Sequence, residues 1–365
     1  MNNKNYCIIL AGGIGSKLWP MSTDSLPKQF LDLFATGRTM LQITYDRYSK
    51  LVPKENIFIS TYKDYVDIVR QQLPEISPYQ IVSEPLQLST APATALTLVH
   101  LIAREPDATV ISAPADQLIY DPEAFEQQMR EGLRFVDATK DFLAIGIKPT
   151  RPATSYGYLQ ASVDTKDSFF KLKSFTEKPD IDFARLFCES GEFYWSTGIF
   201  IWNTQTMLQA MRKDYPYIEN MAGIARGNTN TGITIDSDAV QHLITEQYPR
   251  IRFQSLDLLI LEHHTNVYIA PCTFGWADVG SWKNYYDLHE KDEDLNVICN
   301  SQHLLYSCKN NLVKASTDKV VILQDLEGYM VVENDKMLLI CKKDDPSLVR
   351  RIMNDAQMKF GNGIM

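Results

Sequence analysis

This chain of 365 residues contains no run of eighteen apolar residues, so no membrane-crossing helix is predicted. Its polar start, Met1-Asn2-Asn3-Lys4-Asn5, leads straight into an apolar run, so no signal peptide is expected and the cytoplasm is the expected compartment. Cysteine is sparse. The six residues Cys7, Cys188, Cys272, Cys299, Cys308 and Cys341 form no CxxC pair, which argues against zinc and redox motifs and predicts reduced thiols. Among the histidines only His263 and His264 adjoin, and neighbouring side chains on a regular element point apart, so no histidine chelate is predicted. Positive charge is also short: Lys and Arg number 36 against 45 Asp and Glu, a net charge of −9. That argues against nucleic acid or an anionic membrane as a partner held by the bulk field, and an anionic substrate must meet local cations instead. No serine–histidine arrangement for nucleophilic catalysis is visible, and no internal repeat or low-complexity tract.

What stands out is a glycine turn. Tyr6-Cys7-Ile8-Ile9-Leu10 reads as a buried strand, and Ala11-Gly12-Gly13-Ile14-Gly15-Ser16-Lys17-Leu18-Trp19-Pro20 follows it. Glycines let the backbone turn tightly and present bare N–H groups to a polyphosphate. Two commoner loops are excluded. The dinucleotide fingerprint started at Gly13 finds Leu18 where its third glycine belongs, and the Walker loop fails because Ser16 and Leu18 flank Lys17. Lys17 and Lys28 place two cations near the turn.

Strands and helices alternate over the first half. Strands are predicted at 6–10, 56–61, 80–83, 109–113 and 142–147, and helices at 39–51, 91–104 and 122–138. The pair Thr39 and Gln42 has capping-box spacing. This order predicts an α/β fold, a doubly wound, mostly parallel sheet with helices on both faces and ligands beyond the carboxyl ends of the strands. Residues 156–202 are richer in strands and are expected to form an inserted or edge sheet; residues 204–262 look mainly helical. The charged run Glu290–Asn296 reads as a linker, dividing a catalytic domain, 1–290, from a small all-β domain with a terminal helix, 291–365.

Several segments carry a resemblance. Leu18-Trp19-Pro20-Met21-Ser22, Pro27-Lys28-Gln29-Phe30, Tyr156-Gly157-Tyr158, Phe175-Thr176-Glu177-Lys178-Pro179 and Gly275-Trp276-Ala277-Asp278-Val279-Gly280-Ser281-Trp282 occur in this order. Together they resemble the mannose-1-phosphate guanylyltransferase branch of the sugar-1-phosphate nucleotidyltransferase family, over about residues 5–345. The resemblance implies a Rossmann-like nucleotidyltransferase domain with a left-handed β-helix-like C-terminal piece. It implies transfer of GMP from GTP to mannose 1-phosphate with release of pyrophosphate.

The resemblance also implies roles. Asp116 and Asp278 would hold Mg²⁺, and Lys17, Lys28 and Lys178 would join them as catalytic residues. Leu10, Ala11, Gly12, Gly13, Gly15, Glu84 and Thr90 would bind the nucleotide; Tyr156, Gly157, Glu177 and Ser196 would bind the sugar. Some of these assignments have a plainer alternative. Asp116 fits a turn, Glu84 and Thr90 a capped helix start, Gly157 a core strand, and Glu177 with Lys178 a surface ion pair. Four residues depart from the family pattern: Lys17 for Arg, Gln117 for His, Ser196 for Asn and His263 for Lys. They leave open another hexose 1-phosphate, or a weakly active regulatory homologue. A homodimer is expected through the apolar segment 304–341. From the chain length, no appended isomerase barrel is expected.

Overall fold

Asn5–Leu10, apolar from Tyr6 onward, forms the first strand of the computed structural model, which describes residues 4–14, 16–216, 218 and 244–361. The strands of the α/β part are β1 (Asn5–Leu10), β2 (Ile57–Tyr62), β3 (Ile81–Glu84), β4 (Thr109–Pro114), β5 (Gln117–Ile119), β6 (Phe142–Ile147), β7 (Tyr158–Lys166), β8 (Phe169–Thr176), β9 (Phe193–Asn203), β10 (Val267–Pro271) and β11 (Trp276–Asp278). Nine of them form one sheet in the order β3-β2-β1-β4-β9-β6-β10-β8-β7. β1 pairs in parallel with β2 and β4, β2 with β3, and β6 with β10. Only β8 and β9 run against the rest, so the sheet is mostly parallel, as the alternation predicts.

One expectation needs correction. β7 and β8 do lie at an edge, but β9 sits in the interior of the sheet, antiparallel to both β4 and β6. Ten of its eleven residues are buried. A strand covered on both faces needs a nearly continuous apolar run, and Phe-Tyr-Trp-Ser-Thr-Gly-Ile-Phe-Ile-Trp supplies one.

The helix Thr90–Arg104 is rich in Ala and Leu and is buried over most of its length against Ile8, Val110, Phe200 and Trp202. The helix Pro122–Thr139 starts where Asp121 accepts from the Glu123 and Ala124 N–H groups at 3.1 and 3.0 Å, with Pro122 at its first position. The Thr39–Gln42 capping box forms as expected, at 3.0 and 3.3 Å. Of the region expected to be mainly helical, residues 217 and 219–243 lie outside the described residues; Thr204–Met211 and Leu256–Leu261 are helices.

The chain packs as two compact units, and they do not follow chain order. The first is Met1–Gly13, Thr44–Ala115 and Ile119–Trp276; the second is Ile14–Ile43, Asp116–Leu118 and Ala277–Met365. This division differs from one at residue 290. Within the second unit Leu18, Trp19, Val279, Trp282 and Tyr285 share a buried core with Leu312, Met330 and Val332, so apolar side chains from both sides of residue 290 are packed together.

The C-terminal strands of the second unit are β12 (Val297–Cys299), β13 (Gln302–Tyr306), β14 (Leu312–Lys314), β15 (Val320–Gln324), β16 (Tyr329–Glu333) and β17 (Leu338–Lys342). β12, β14 and β16 pair in parallel, with Val297 opposite Leu312 and Leu312 opposite Met330. β13 and β15 form a second parallel ladder, and β17 closes the first one antiparallel to β16. Buried asparagines tie the turns. Asn311 donates to Asn296 Oδ1 through its backbone N–H (3.1 Å) and Nδ2 (3.0 Å), and the Tyr329 N–H donates to Asn311 Oδ1 (2.8 Å). Leu295, Asn310 and Gly328 each stand two residues before a register partner and all take a positive φ, +62, +56 and +73°. A conformational repeat therefore exists where no sequence repeat is visible. The helix Pro346–Phe360 follows.

Candidate active site

In the first unit, β1 ends in the glycine turn. The Ala11 N–H donates to the Ser60 carbonyl (2.8 Å), the Thr61 hydroxyl to the Ala11 carbonyl (3.1 Å), and the Gln87 amide to the Gly12 carbonyl (2.7 Å). Leu10 and Ala11 are thereby fixed on the carboxyl edge of the sheet. A Cβ at Gly12 would lie 2.9 Å from Glu84 Oε1 and press on that carboxylate, while Gly13 faces open space. Gly15 lies outside the described residues.

Glu84, at the end of β3, is 3% exposed. Burial pushes its carboxyl up to about 7, against the opposing hydrogen bond that Tyr248 donates to Oε2 at 2.6 Å. Thr90 opens the helix Thr90–Arg104. Its hydroxyl oxygen accepts from the Leu256 N–H (2.8 Å), and the Ala91 N–H donates to the Gln254 carbonyl (3.1 Å). Both groups thus serve the fold at this helix start.

A second cluster in the first unit gathers the expected sugar-side residues. Gly157 lies against the Phe175 ring, 2.6 Å from where its Cβ would stand, and 3.2 Å from Glu177 Oε2 by the same measure. Its carbonyl accepts from the Ser196 N–H (2.8 Å). Tyr156 packs on Trp195 and Trp276, with ring centroids 4.8 and 5.8 Å apart. Lys178, held at φ +41°, donates to Glu177 Oε1 at 2.7 Å, and its side chain is mostly exposed. The Ser196 hydroxyl donates to Asp257 Oδ1 at 2.6 Å. Burial raises the Asp257 carboxyl, the Ser196 hydrogen bond opposes this, and the nearby Glu177 charge adds to it.

In the second unit the segments around residues 28, 116 and 278 meet. Lys28 Nζ lies 2.5 Å from Asp116 Oδ2 and donates to the Val279 carbonyl at 3.2 Å. The Val279 N–H donates to the Asp116 carbonyl, 3.2 Å, so the two acid-bearing segments run side by side. Asp278 Oδ1 accepts from Asn284 Nδ2 at 2.7 Å. Ser281 caps the helix Trp282–Asp287 by accepting from the Asn284 N–H, and the Trp282 indole donates to the Trp19 carbonyl at 2.9 Å. Lys17 sits exposed in a single turn, Ser16–Leu18.

The structure thus brings Lys28, Asp116 and the Asp278 segment together in one unit. Gly12 meets Glu84, and Gly157 meets Glu177, in the other. Among the described residues no group of three or more His, Cys, Asp or Glu side chains is clustered to hold a metal. Two carboxylates on adjoining segments suit a hard cation that takes its other oxygens from phosphates and water, as Mg²⁺ does, rather than one that needs a protein cage. Sequence reasoning missed Tyr248, Asn284 and Asp257 as partners of site residues. Asp257 lies one turn before Leu261 on the short helix that Ser255 caps, and Tyr248 is 164 positions from Glu84, so nothing local marks either as a partner.

The mostly parallel sheet, with a glycine turn at the end of its first strand, places the chain in the α/β class. Residues 6–295 match the nucleotidyl transferase family model, and the chain belongs to that family. More particularly, it is 31% identical over 357 residues to mannose-1-phosphate guanylyltransferase 2 of Escherichia coli O157:H7, covering 95% of this chain and 72% of that protein. It is 30% identical over 353 residues to the mannose-1-phosphate guanylyltransferase of Salmonella muenchen, again covering 95% of this chain and 72% of the relative. Its fold is similar to a crystal structure described as a mannose-1-phosphate geranyltransferase from Thermus thermophilus. That match has a TM-score of 0.84 at 26% identity and covers 97% of this chain and 99% of the other. Among the described residues no helix is long and apolar enough to cross a membrane.

Proposed function

We propose that the chain transfers GMP from GTP to α-D-mannose 1-phosphate, giving GDP-mannose and pyrophosphate. A phosphate oxygen of the sugar attacks the α-phosphorus in line. The bond from that phosphorus to the bridging oxygen breaks, and pyrophosphate departs with the electron pair. The attacking oxygen is anionic near neutral pH, so the protein needs no general base. Its task is to position the reactants and neutralise charge.

The observation that carries this reading is Lys28, held between the Asp116 carboxylate and the Val279 carbonyl at 2.5 and 3.2 Å. A cation fixed at two points is preorganised for the transferred phosphate or the leaving pyrophosphate. Asp116 and Asp278 would hold Mg²⁺, which when bound shields phosphate charge in the transition state. Lys17 would face the β- and γ-phosphates as a point charge, without the fork of an arginine. Leu10, Ala11, Gly12, Gly13 and Gly15 would line the nucleotide phosphates. Glu84 and the Thr90 segment would face the base, where a carboxylate suits the N–H donors on guanine's edge. Lys178 would grip the sugar phosphate, and Tyr156, Gly157, Glu177 and Ser196 the hexose. The names of the relatives support this substrate pair.

The reading also takes the chain as a cytoplasmic homodimer, with its catalytic machinery within 1–290. It takes the parallel C-terminal ladders within 291–365 as a left-handed β-helix. Pyrophosphate release from a panel of triphosphates and hexose 1-phosphates tests the reaction. GTP with mannose 1-phosphate should exceed every other pair at least tenfold in kcat/KM. Equal rates with UTP, ATP or glucose 1-phosphate would overturn the assignment.

A further inference from the structure

The geometry points to Tyr248 as a positioning residue that holds the Glu84 carboxylate in place for the nucleotide base. The inference rests on the base-side reading of Glu84 and goes beyond it. Tyr248 opens a short turn, Tyr248–Arg250, and its carbonyl accepts from the Ile251 N–H at 3.1 Å. Its ring is buried in the core of the first unit with Ile251, Leu256 and Leu259, so the hydroxyl is delivered from a rigid base. That hydroxyl donates to Glu84 Oε2 at 2.6 Å, a short bond of the charge-assisted kind. Among the described residues it is the one donor to this carboxylate. The other oxygen, Oε1, borders Gly12, where an added Cβ would stand 2.9 Å away. The bond therefore occupies one oxygen, restrains the side chain and leaves the second oxygen at the glycine turn.

The same bond also acts on protonation, against the larger effect of burial. Burial drives the Glu84 carboxyl up to about 7 and the Tyr248 hydroxyl opposes it; no lysine, arginine or histidine of the described residues contributes. Below that pH the carboxyl is protonated and becomes a donor toward guanine's own N–H groups, so binding weakens. Removing the hydroxyl raises the pKa further, and the ionised form then persists only at higher pH.

The test compares the wild type, Tyr248→Phe and Glu84→Gln from pH 6 to 8.5. The readouts are kcat/KM for GTP and the dissociation constant of guanosine, which lacks phosphates and stays neutral through the acid limb. Tyr248→Phe should move the acid limb upward by about one unit, a loss of about fivefold near pH 7 that disappears toward pH 8.5. The KM for mannose 1-phosphate should stay unchanged. Glu84→Gln should abolish the limb in guanosine binding. A loss in Tyr248→Phe that is equal at every pH, or no loss, would overturn the role of Tyr248 while leaving Glu84 on the base side. An unaltered profile in Glu84→Gln would remove Glu84 from the base and the inference with it. If Tyr248→Phe fails to fold, guanosine binding to the wild type decides: it must weaken as pH falls through about 7, and pH-independent binding refutes the idea.

Discussion

Replacing Gly280 with alanine probes the acid site through a single added methyl group. A Cβ at Gly280 would stand 2.2 Å from Asp278 Oδ2. Gly280 has no left-handed φ, so alanine strains no backbone there and its effect falls on the carboxylate. An ordinary carbon–oxygen contact needs about 1 Å more, so the Asp278 side chain must swing away. Asn284 holds the other oxygen at 2.7 Å, and the swing breaks or bends that bond. A hydrogen bond to a charged group contributes about 1.5–3 kcal/mol. A displacement of about 1 Å at a reacting site lowers turnover on the order of 10²-fold. Gly280→Ala should therefore lower kcat by about two orders of magnitude and raise the Mg²⁺ concentration needed for half-maximal rate. The assay is pyrophosphate release against metal concentration, with near-ultraviolet circular dichroism to confirm packing. Turnover within twofold of wild type, with an unchanged metal requirement, would show that Asp278 does not act on the reacting phosphates.

Three further substitutions separate the remaining roles. Lys178→Ala should raise the KM for mannose 1-phosphate at least tenfold. It should leave thermal stability almost unmoved, because its exposed pair with Glu177 contributes about 0–1 kcal/mol; a rise confined to the KM for GTP would reverse the assignment of the two substrates. Gly157→Ala places a methyl 2.6 Å from the Phe175 ring and 3.2 Å from Glu177 Oε2. Overpacking there should lower stability by about 1–3 kcal/mol and weaken sugar-phosphate binding, and an unchanged urea midpoint would contradict it. Trp282→Phe removes the indole donor to the Trp19 carbonyl and should lower the stability of the second unit by about 1–3 kcal/mol in chemical denaturation. A midpoint that stays put would mean the carbonyl finds another donor.

The sequence made the local features legible. Strand β1, the Thr39–Gln42 box and the helix Thr90–Arg104 each depend on neighbours within a few residues, so their period and end signals are readable. The reversed central strand was not. Its apolar run announces burial, but an apolar run carries no sign of direction, and β9 could equally have been an edge strand from its composition. The C-terminal repeat escaped for a different reason. Its left-handed turn position is filled by Leu295, Asn310 and Gly328, three residue types with nothing in common but the conformation imposed on them. In the site, motif matching named Asp116, Lys28 and Asp278, but not that Lys28 would reach both Asp116 and Val279, since such contacts span up to 251 positions of chain.

The division into packing units puts the C-terminal strands in one core with the neighbours of the candidate site residues. Asp278 is followed by Ser281, which caps the helix Trp282–Asp287, and that helix buries Trp282, Tyr285 and Tyr286 in one core with Val297, Leu312, Met330 and Leu339. Trp19, next to the segment that carries Lys17, enters the same core and accepts the Trp282 indole hydrogen bond through its carbonyl. The loops bearing Lys28, Asp116 and Asp278 carry short or irregular structure of their own, and loops of that kind are the least rigid parts of a fold. Anchoring their neighbours in a shared apolar core supplies the missing rigidity. On the proposed reading, a chain with a net charge of −9 meets its phosphates through local cations, and a lysine serves best when its position is fixed before they come. Leu31 and Leu33, just beyond Lys28, and Val279, beside Asp278, pack in the same core as the ladder residues Leu312, Met330 and Val332.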